Sequence, residues 1–274
     1  MAKKLSLLLL GAGNMGGALL ESWIRNGIVD PKRSAVVDPN PSDKILAVCE
    51  DGHVPVNPVD DGEGYDYCVL AIKPQMFGDI LPTLKWPGIE KTVFMSIAAG
   101  VTIDSMTKLL KSQSSSPKII RTMPNLPAAI GQGMTILTEG PGVTSEQRDD
   151  ADMLFKGAGD TVWAKDEDQL DRLMGISGCG PAYVFLFAEA LEEAALAEGA
   201  SPEDARKLAE MTVTGSAAHL AQDGRTAAEL RKAVTSPGGT TAAALSVWDD
   251  TDGLRPLAKR AVRAAYDRAK ELGK

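Results

Sequence analysis

The chain has few of the side chains most often used for acid–base or metal chemistry at neutral pH, with two histidines and three cysteines among 274 residues. Cys49, Cys68 and Cys179 are odd in number and lack metal-ligand spacing. They read as small buried hydrophobes in a reducing, cytoplasmic setting, and no metal is expected. Positive charge is also scarce: 29 Lys and Arg stand against 37 Asp and Glu, a net charge of -8. That balance excludes the basic surface a nucleic-acid partner requires. Uninterrupted apolar runs long enough to span a bilayer are missing as well, so membrane insertion is not expected. The run Leu5 to Leu10 stops at Gly11 without a small-residue cleavage site and reads as a buried strand rather than a signal peptide.

What is present is apolar material enough for a sizeable core, 44% of the chain, and the length favours two domains. In the first half, short apolar runs at Leu5 to Leu10, Ala35 to Val37, Tyr67 to Ile72, Val93 to Ile97 and Lys118 to Arg121 alternate with helical stretches. That rhythm predicts βαβ units and a parallel sheet. Runs at Met134 to Leu137 and Thr161 to Trp163, with a helix over Ser145 to Lys156 between them, extend it. The serine-rich segment Lys111 to Pro117 is the expected flexible loop. From about Asp168 the pattern turns helical and rich in Ala, Leu and Glu, and Gly199, Gly224, Pro237 and Gly253 divide it into four or five helices. The expected domains are 1–165, a doubly wound α/β sheet, and 166–274, all α. Alanine-rich helices there suit either an internal bundle or a subunit interface.

Directly after the first strand stands Gly11-Ala12-Gly13-Asn14-Met15-Gly16, opening a helix. This is G-x-G-x-x-G in the strand–turn–helix setting of a Rossmann-type dinucleotide site. Gly11 permits the tight turn, Gly13 lets the backbone approach a pyrophosphate, and Gly16 lets helix pack on strand. The free amides of Asn14, Met15 and their neighbours then hold the anion. Asp38, ending the second strand, can accept from an adenosine ribose or simply serve the turn before Pro39. A carboxylate there favours a free 2′-hydroxyl, whereas Asn40, Ser42 and Lys44 can bond a 2′-phosphate, so both NADH and NADPH are expected to work. The strand ends Ala71-Ile72-Lys73 and Ala98-Ala99-Gly100 lie where such sheets bind ligands, although Lys73 can equally be a solvated lysine and the small residues an ordinary turn.

Hydride transfer leaves the protein to bind the acceptor and manage its charge. Reduction of a carbonyl usually uses a positioned acid, but His53 reads as a surface-loop residue and His219 as a helical one. The stretch Gly175 to Val184 resembles the glycine-rich helix start of the β-hydroxyacid dehydrogenases, yet the position of that family's catalytic lysine is Val184 here. A protonated imine needs no such proton donor. The segment Leu230 to Leu245 places Ser236, Pro237, Gly238, Gly239, Thr240 and Thr241 before an alanine-rich helix. It reads as a carboxylate site of amides and hydroxyls or as an ordinary Ser/Thr helix cap.

The run Leu230 to Asp249 resembles the signature of pyrroline-5-carboxylate reductases. The glycine loop, Ala71-Ile72-Lys73-Pro74, Arg121-Thr122-Met123-Pro124-Asn125 and Ser177-Gly178-Cys179-Gly180-Pro181-Ala182 follow in family order. The resemblance implies reduction of 1-pyrroline-5-carboxylate to L-proline with NADPH or NADH, the last step of proline biosynthesis. It further implies that Ser236 and the Gly238, Gly239 and Thr240 region hold the substrate carboxylate, that Thr241 bonds the ring nitrogen, and that Asn57, Lys73 and Ala98 line the dinucleotide. It also implies an intertwined homodimer, or an assembly of dimers, in which one subunit's substrate loop completes the site beside the other's cofactor. The rival readings are a related imine or oxo-acid reductase and a non-enzymatic nucleotide-sensing protein.

Overall fold

The computed structural model describes residues 3–59 and 62–272. By contacts the chain forms two compact units, residues 1–178 with 265–274, and residues 179–264.

The first unit is a seven-stranded sheet in the order β2-β1-β3-β4-β5-β6-β7. The strands are β1 (Leu7–Leu10), β2 (Ala35–Val37), β3 (Tyr67–Leu70), β4 (Val93–Ser96), β5 (Lys118–Met123), β6 (Gly133–Glu139) and β7 (Gly159–Trp163). Its helices are α1 (Asn14–Arg25), α2 (Asp43–Gly52), α3 (Phe77–Ile80), α4 (Ile103–Leu109), α5 (Ser145–Lys156) and α6 (Glu167–Ser177). The four leucines of β1 are buried on both faces: Leu7 and Leu9 join a core with α1 and α5, Leu8 and Leu10 a core containing Phe77 and Met106. A strand buried on both sides reads as a continuous apolar run, as this one does. The helix layer is fixed by polar contacts too. The indole N–H of Trp23 donates to the Leu154 carbonyl at 2.8 Å, joining α1 to α5.

Most neighbours pair in parallel, but β5 and β6 pair antiparallel, which corrects the all-parallel expectation. The reason is local. The connection 124–132 holds only a 3₁₀ turn at Leu126–Ile130, too short for a crossover helix. The segment Lys111 to Pro117 is not a bare flexible loop either: Ser114 is buried, and the Gln113 amide donates to the Pro82 carbonyl at 2.7 Å.

Helix α6 packs with the sheet, beyond the expected boundary at 165/166. Leu170 joins Met123, Ile136 and Ala164 in a small core. Arg121 of β5 is buried and donates to Glu167 at 2.8 Å and to Asp171 at 2.9 Å. Taking one member from such a pair leaves a buried charge, which ties α6 firmly to β5. The far end of the chain clasps the same helix, where Tyr266 and Lys270 both reach the Asp168 carboxylate.

The second unit contains α7 (Gly180–Ala197), α8 (Pro202–Asp223), α9 (Ala227–Ala233), α10 (Thr240–Trp248) and the first part of α11 (Leu254–Leu272). With α6, that makes six helices after Asp166 among the described residues, because a break at Gly178-Cys179 adds to the expected glycine and proline breaks. Cys179 sits at that break half-buried, unlike Cys49 and Cys68, which are buried and whose thiol pKa values burial pushes up. The unit has almost no core of its own. Of its described residues only Ala205 and Ala209 are fully buried, while Val184, Phe185, Leu186, Leu208, Met211 and Val247 stand exposed. By length and composition alone Glu167–Ala197 is apolar enough to cross a membrane, although acidic and basic residues interrupt it and it is not the uninterrupted apolar run the expectation concerned.

Candidate cofactor and substrate sites

Strand order reverses at β1, which pairs with β2 on one side and β3 on the other. The loops at the carboxyl ends of β1 and β3 therefore diverge there, and a crevice opens at the carboxyl ends of β1 and β2. The three glycines play three distinct parts in it. Gly11 has φ +88°, and a Cβ there would meet the Ala71 carbonyl oxygen at 2.7 Å. A Cβ on Gly16 would meet the Gly11 carbonyl oxygen at 2.4 Å, so helix and strand approach only because this residue has no side chain. Around Gly13 nothing lies within 4 Å of a built Cβ. That space is open to a ligand, and Gly13 is also the N-cap of α1, with no side-chain cap and no acidic residue in the first turn. Unfilled amides and a helix dipole facing open space are what a pyrophosphate requires, so the loop fits a dinucleotide.

The crevice has a volume of about 500 Å³, and its lining includes Gly13, Asn14 and Met15 of the loop, Asp38, Asn40 and Ser42 after β2, and Leu126 and Ala129 after β5. Asp38 is held on both oxygens: Oδ2 accepts from the Ala12 N–H at 2.7 Å and Oδ1 from the Asn40 N–H at 2.8 Å. It thus serves the turn, as one reading had it, and a carboxylate with each oxygen singly bonded keeps acceptor capacity for ribose hydroxyls. Asn57, in left-handed backbone at φ 48°, pairs with the backbone of Asp38, accepting from its N–H at 3.0 Å and donating to its carbonyl at 2.8 Å. Its side chain continues, at Asp38, the pairing that the backbone of residues 55–57 makes with Val36 along the outer edge of β2. Ala71 lies beneath Gly11 and Gly16. Lys73 is exposed and Ala98 buried, and neither is part of the crevice lining.

Sequence reasoning overlooked Glu21, Leu126 and Ala129. Glu21 had a signal, since Asn14, Gly17, Ala18 and Glu21 fall on one helical face and all four line the crevice. The two residues after β5 had none, being brought in by the sheet.

In the second unit, α10 begins at Gly239, which caps it without a side-chain hydrogen bond. The expected ordinary Ser/Thr cap is therefore not what forms. Gly238 has φ +69°, and the Gly239 N–H donates to the Ser236 carbonyl at 3.0 Å. This turn reverses the chain and leaves the first amides of α10, at Thr240 and Thr241, without a side-chain acceptor. By contrast, α8 and α9 are capped by Ser201 and Thr226. An uncapped helix start flanked by Ser236, Thr240 and Thr241 hydroxyls suits a carboxylate. His219 pairs with Asp223 one turn along α8 at 3.0 Å, and His53 ends α2 in left-handed backbone. Two of the sequence motifs meet within the first unit, where the Asn125 amide donates to the Ser177 carbonyl at 2.8 Å.

Residues 167–272 match the family described as pyrroline-5-carboxylate reductase dimerisation, and residues 6–100 match NADP oxidoreductase coenzyme F420-dependent. The pyrroline-5-carboxylate reductase of Haemophilus influenzae is 32% identical over 265 residues, covering 96% of each chain. Among solved structures, a pyrroline-5-carboxylate reductase from Coxiella burnetii is 35% identical, with a TM-score of 0.88 over 99% of this chain and 100% of that one. A pyrroline carboxylate reductase from Plasmodium falciparum, solved with NADP bound, is 27% identical, with a TM-score of 0.81 over the whole of both chains.

Proposed function

This chain belongs to the pyrroline-5-carboxylate reductase family, and we propose that it reduces the C=N bond of 1-pyrroline-5-carboxylate to give L-proline, the closing step of proline biosynthesis. It is an NAD(P)-dependent oxidoreductase on a Rossmann-type domain followed by a helical one. The observation that carries the substrate assignment is the uncapped start of α10 behind the Gly238 turn.

The dinucleotide, when bound, supplies the hydride. Gly11, Gly13, Asn14, Met15 and Gly16 would hold its pyrophosphate on open amides, Asp38 its ribose, and Ala71, Lys73 and Ala98 the strand ends beside it, with Asn57 bracing Asp38. The α10 amides, with Ser236, Gly238, Gly239 and Thr240, anchor the substrate carboxylate. That anchoring converts encounter into a fixed orientation. Thr241 is the catalytic residue in this reading: its hydroxyl bonds the ring nitrogen and holds the imine in its protonated, electron-poor form. No strong general acid is required, because the iminium carbon already accepts hydride.

The homodimer follows from the same family assignment and from the second unit's exposed apolar helices. The run of residues 184–188 is apolar all the way round α7 and belongs inside a bundle, yet α7 has no buried residue in the single chain. A second copy would supply that bundle, which also explains the membrane-like composition of Glu167–Ala197 without a membrane. A cytoplasmic location agrees with the free cysteines. The test is reduced-nicotinamide oxidation with pyrroline-5-carboxylate set against other cyclic imines and 2-oxo acids. Faster turnover of an oxo acid than of pyrroline-5-carboxylate would overturn the assignment.

A further inference from the structure

At the β2 end of the crevice, the described lining residues carry two carboxylates, Asp38 and Glu21, and one ammonium, Lys44. Lys44, near the start of α2, lies 2.8 Å from Glu21 on α1. NADPH and NADH differ only by a 2′-phosphate, a dianion, so charge at this end of the crevice governs the choice between them. Asp38 is held by the Ala12 and Asn40 N–H groups. The Ser42 hydroxyl already caps the Ile45 N–H.

Resting on the reading of this crevice as the cofactor site, we infer that the Glu21–Lys44 pair sets the discrimination between the two dinucleotides. Lys44 is the cation that meets the 2′-phosphate, and Glu21 competes for its charge while opposing the dianion. An ammonium has three donors and can serve both groups at once. The Glu21 carboxylate contributes repulsion that the 2′-hydroxyl cofactor does not feel. As a structural strut this pair would matter little, since exposed ion pairs contribute small energies, and these side chains are 71% and 37% exposed.

The two partners therefore make opposite predictions. Glu21→Gln removes the repulsion and leaves Lys44 free for phosphate, tightening NADP⁺ relative to NAD⁺ by about three- to tenfold. Lys44→Gln removes a charge-assisted bond and weakens NADP⁺ relative to NAD⁺ by about tenfold. Isothermal titration of the full chain with each dinucleotide at one ionic strength reads the ratio of the two Kd values directly, without turnover. Both shifts shrink as salt rises. A ratio unmoved in both variants, or moved in the same direction by both, overturns the inference while leaving the cofactor site standing. Failure of the unaltered chain to bind either dinucleotide overturns the site itself and the inference with it.

Discussion

Truncating Leu186 to alanine is expected to loosen self-association of the chain. Residues Tyr183 to Phe187 run around α7 at roughly 100° per residue, and all five are exposed in the single chain. Leu186 is 64% exposed. Burying a whole leucine side chain is worth about 1.5–3 kcal/mol, so about 1–2 kcal/mol is withheld until another surface covers this one. Twofold symmetry counts each substitution twice. Leu186→Ala, which keeps the Cβ, should therefore cost the dimer about 2–3 kcal/mol, or roughly 30- to 150-fold in its dissociation constant. Sedimentation equilibrium over a wide concentration range reads this directly, and the melting temperature of the unaltered chain should rise with protein concentration. Leu46→Ala, at an exposed position on α2 of the first unit, serves as the control and should leave association unchanged. A monomeric unaltered chain at micromolar concentration would refute the reasoning, as would a Leu186→Ala dimer that dissociates no earlier than the original.

Thr241→Ala should lower kcat/KM for pyrroline-5-carboxylate by about ten- to a hundredfold, the worth of one charge-assisted hydrogen bond, with dinucleotide affinity unchanged in titration; full activity would remove Thr241 from the site. Gly13→Ala should leave the melting temperature nearly unaltered, because its Cβ meets nothing, yet weaken dinucleotide binding. Gly11→Ala should destabilise the fold itself, with a strained φ and a Cβ against the Ala71 carbonyl, so equal thermal melts for the two variants would contradict these roles. Burial, and then a hydrogen bond to Asp150, hold the Tyr67 phenol above its ordinary pKa. An unfolded tyrosine ionises near pH 10 while this one keeps its proton, so its contribution is full below about pH 10 and declines above it. Tyr67→Phe should be less stable at neutral pH but lose less stability above about pH 10 in urea titrations, and an unchanged alkaline slope would show that Tyr67 is not the source.

The strands and the glycine loop were legible because their signals are local. Four consecutive leucines stopping at Gly11 read as a strand buried on both faces, and each glycine's part follows from backbone geometry at its own position. The helix over Ser145 to Lys156 and the helix breaks at Gly199 and Gly224 were equally readable from neighbouring residues. The start of α10 was not settled this way, since Ser236, Thr240 and Gly239 all make plausible caps, and only the folded turn selects the glycine and leaves the amides open. Tertiary structure likewise decided what depends on distant segments. It drew α6 onto the sheet through buried Arg121 and brought Leu126 and Ala129 to the crevice from beyond β5. It also locked Asp38 between two backbone amides and placed Glu21 against Lys44. Hydrophobic periodicity and turn chemistry act over a few residues and are written in the order of the chain. Pairings between elements far apart in sequence exist only once the sheet brings them together.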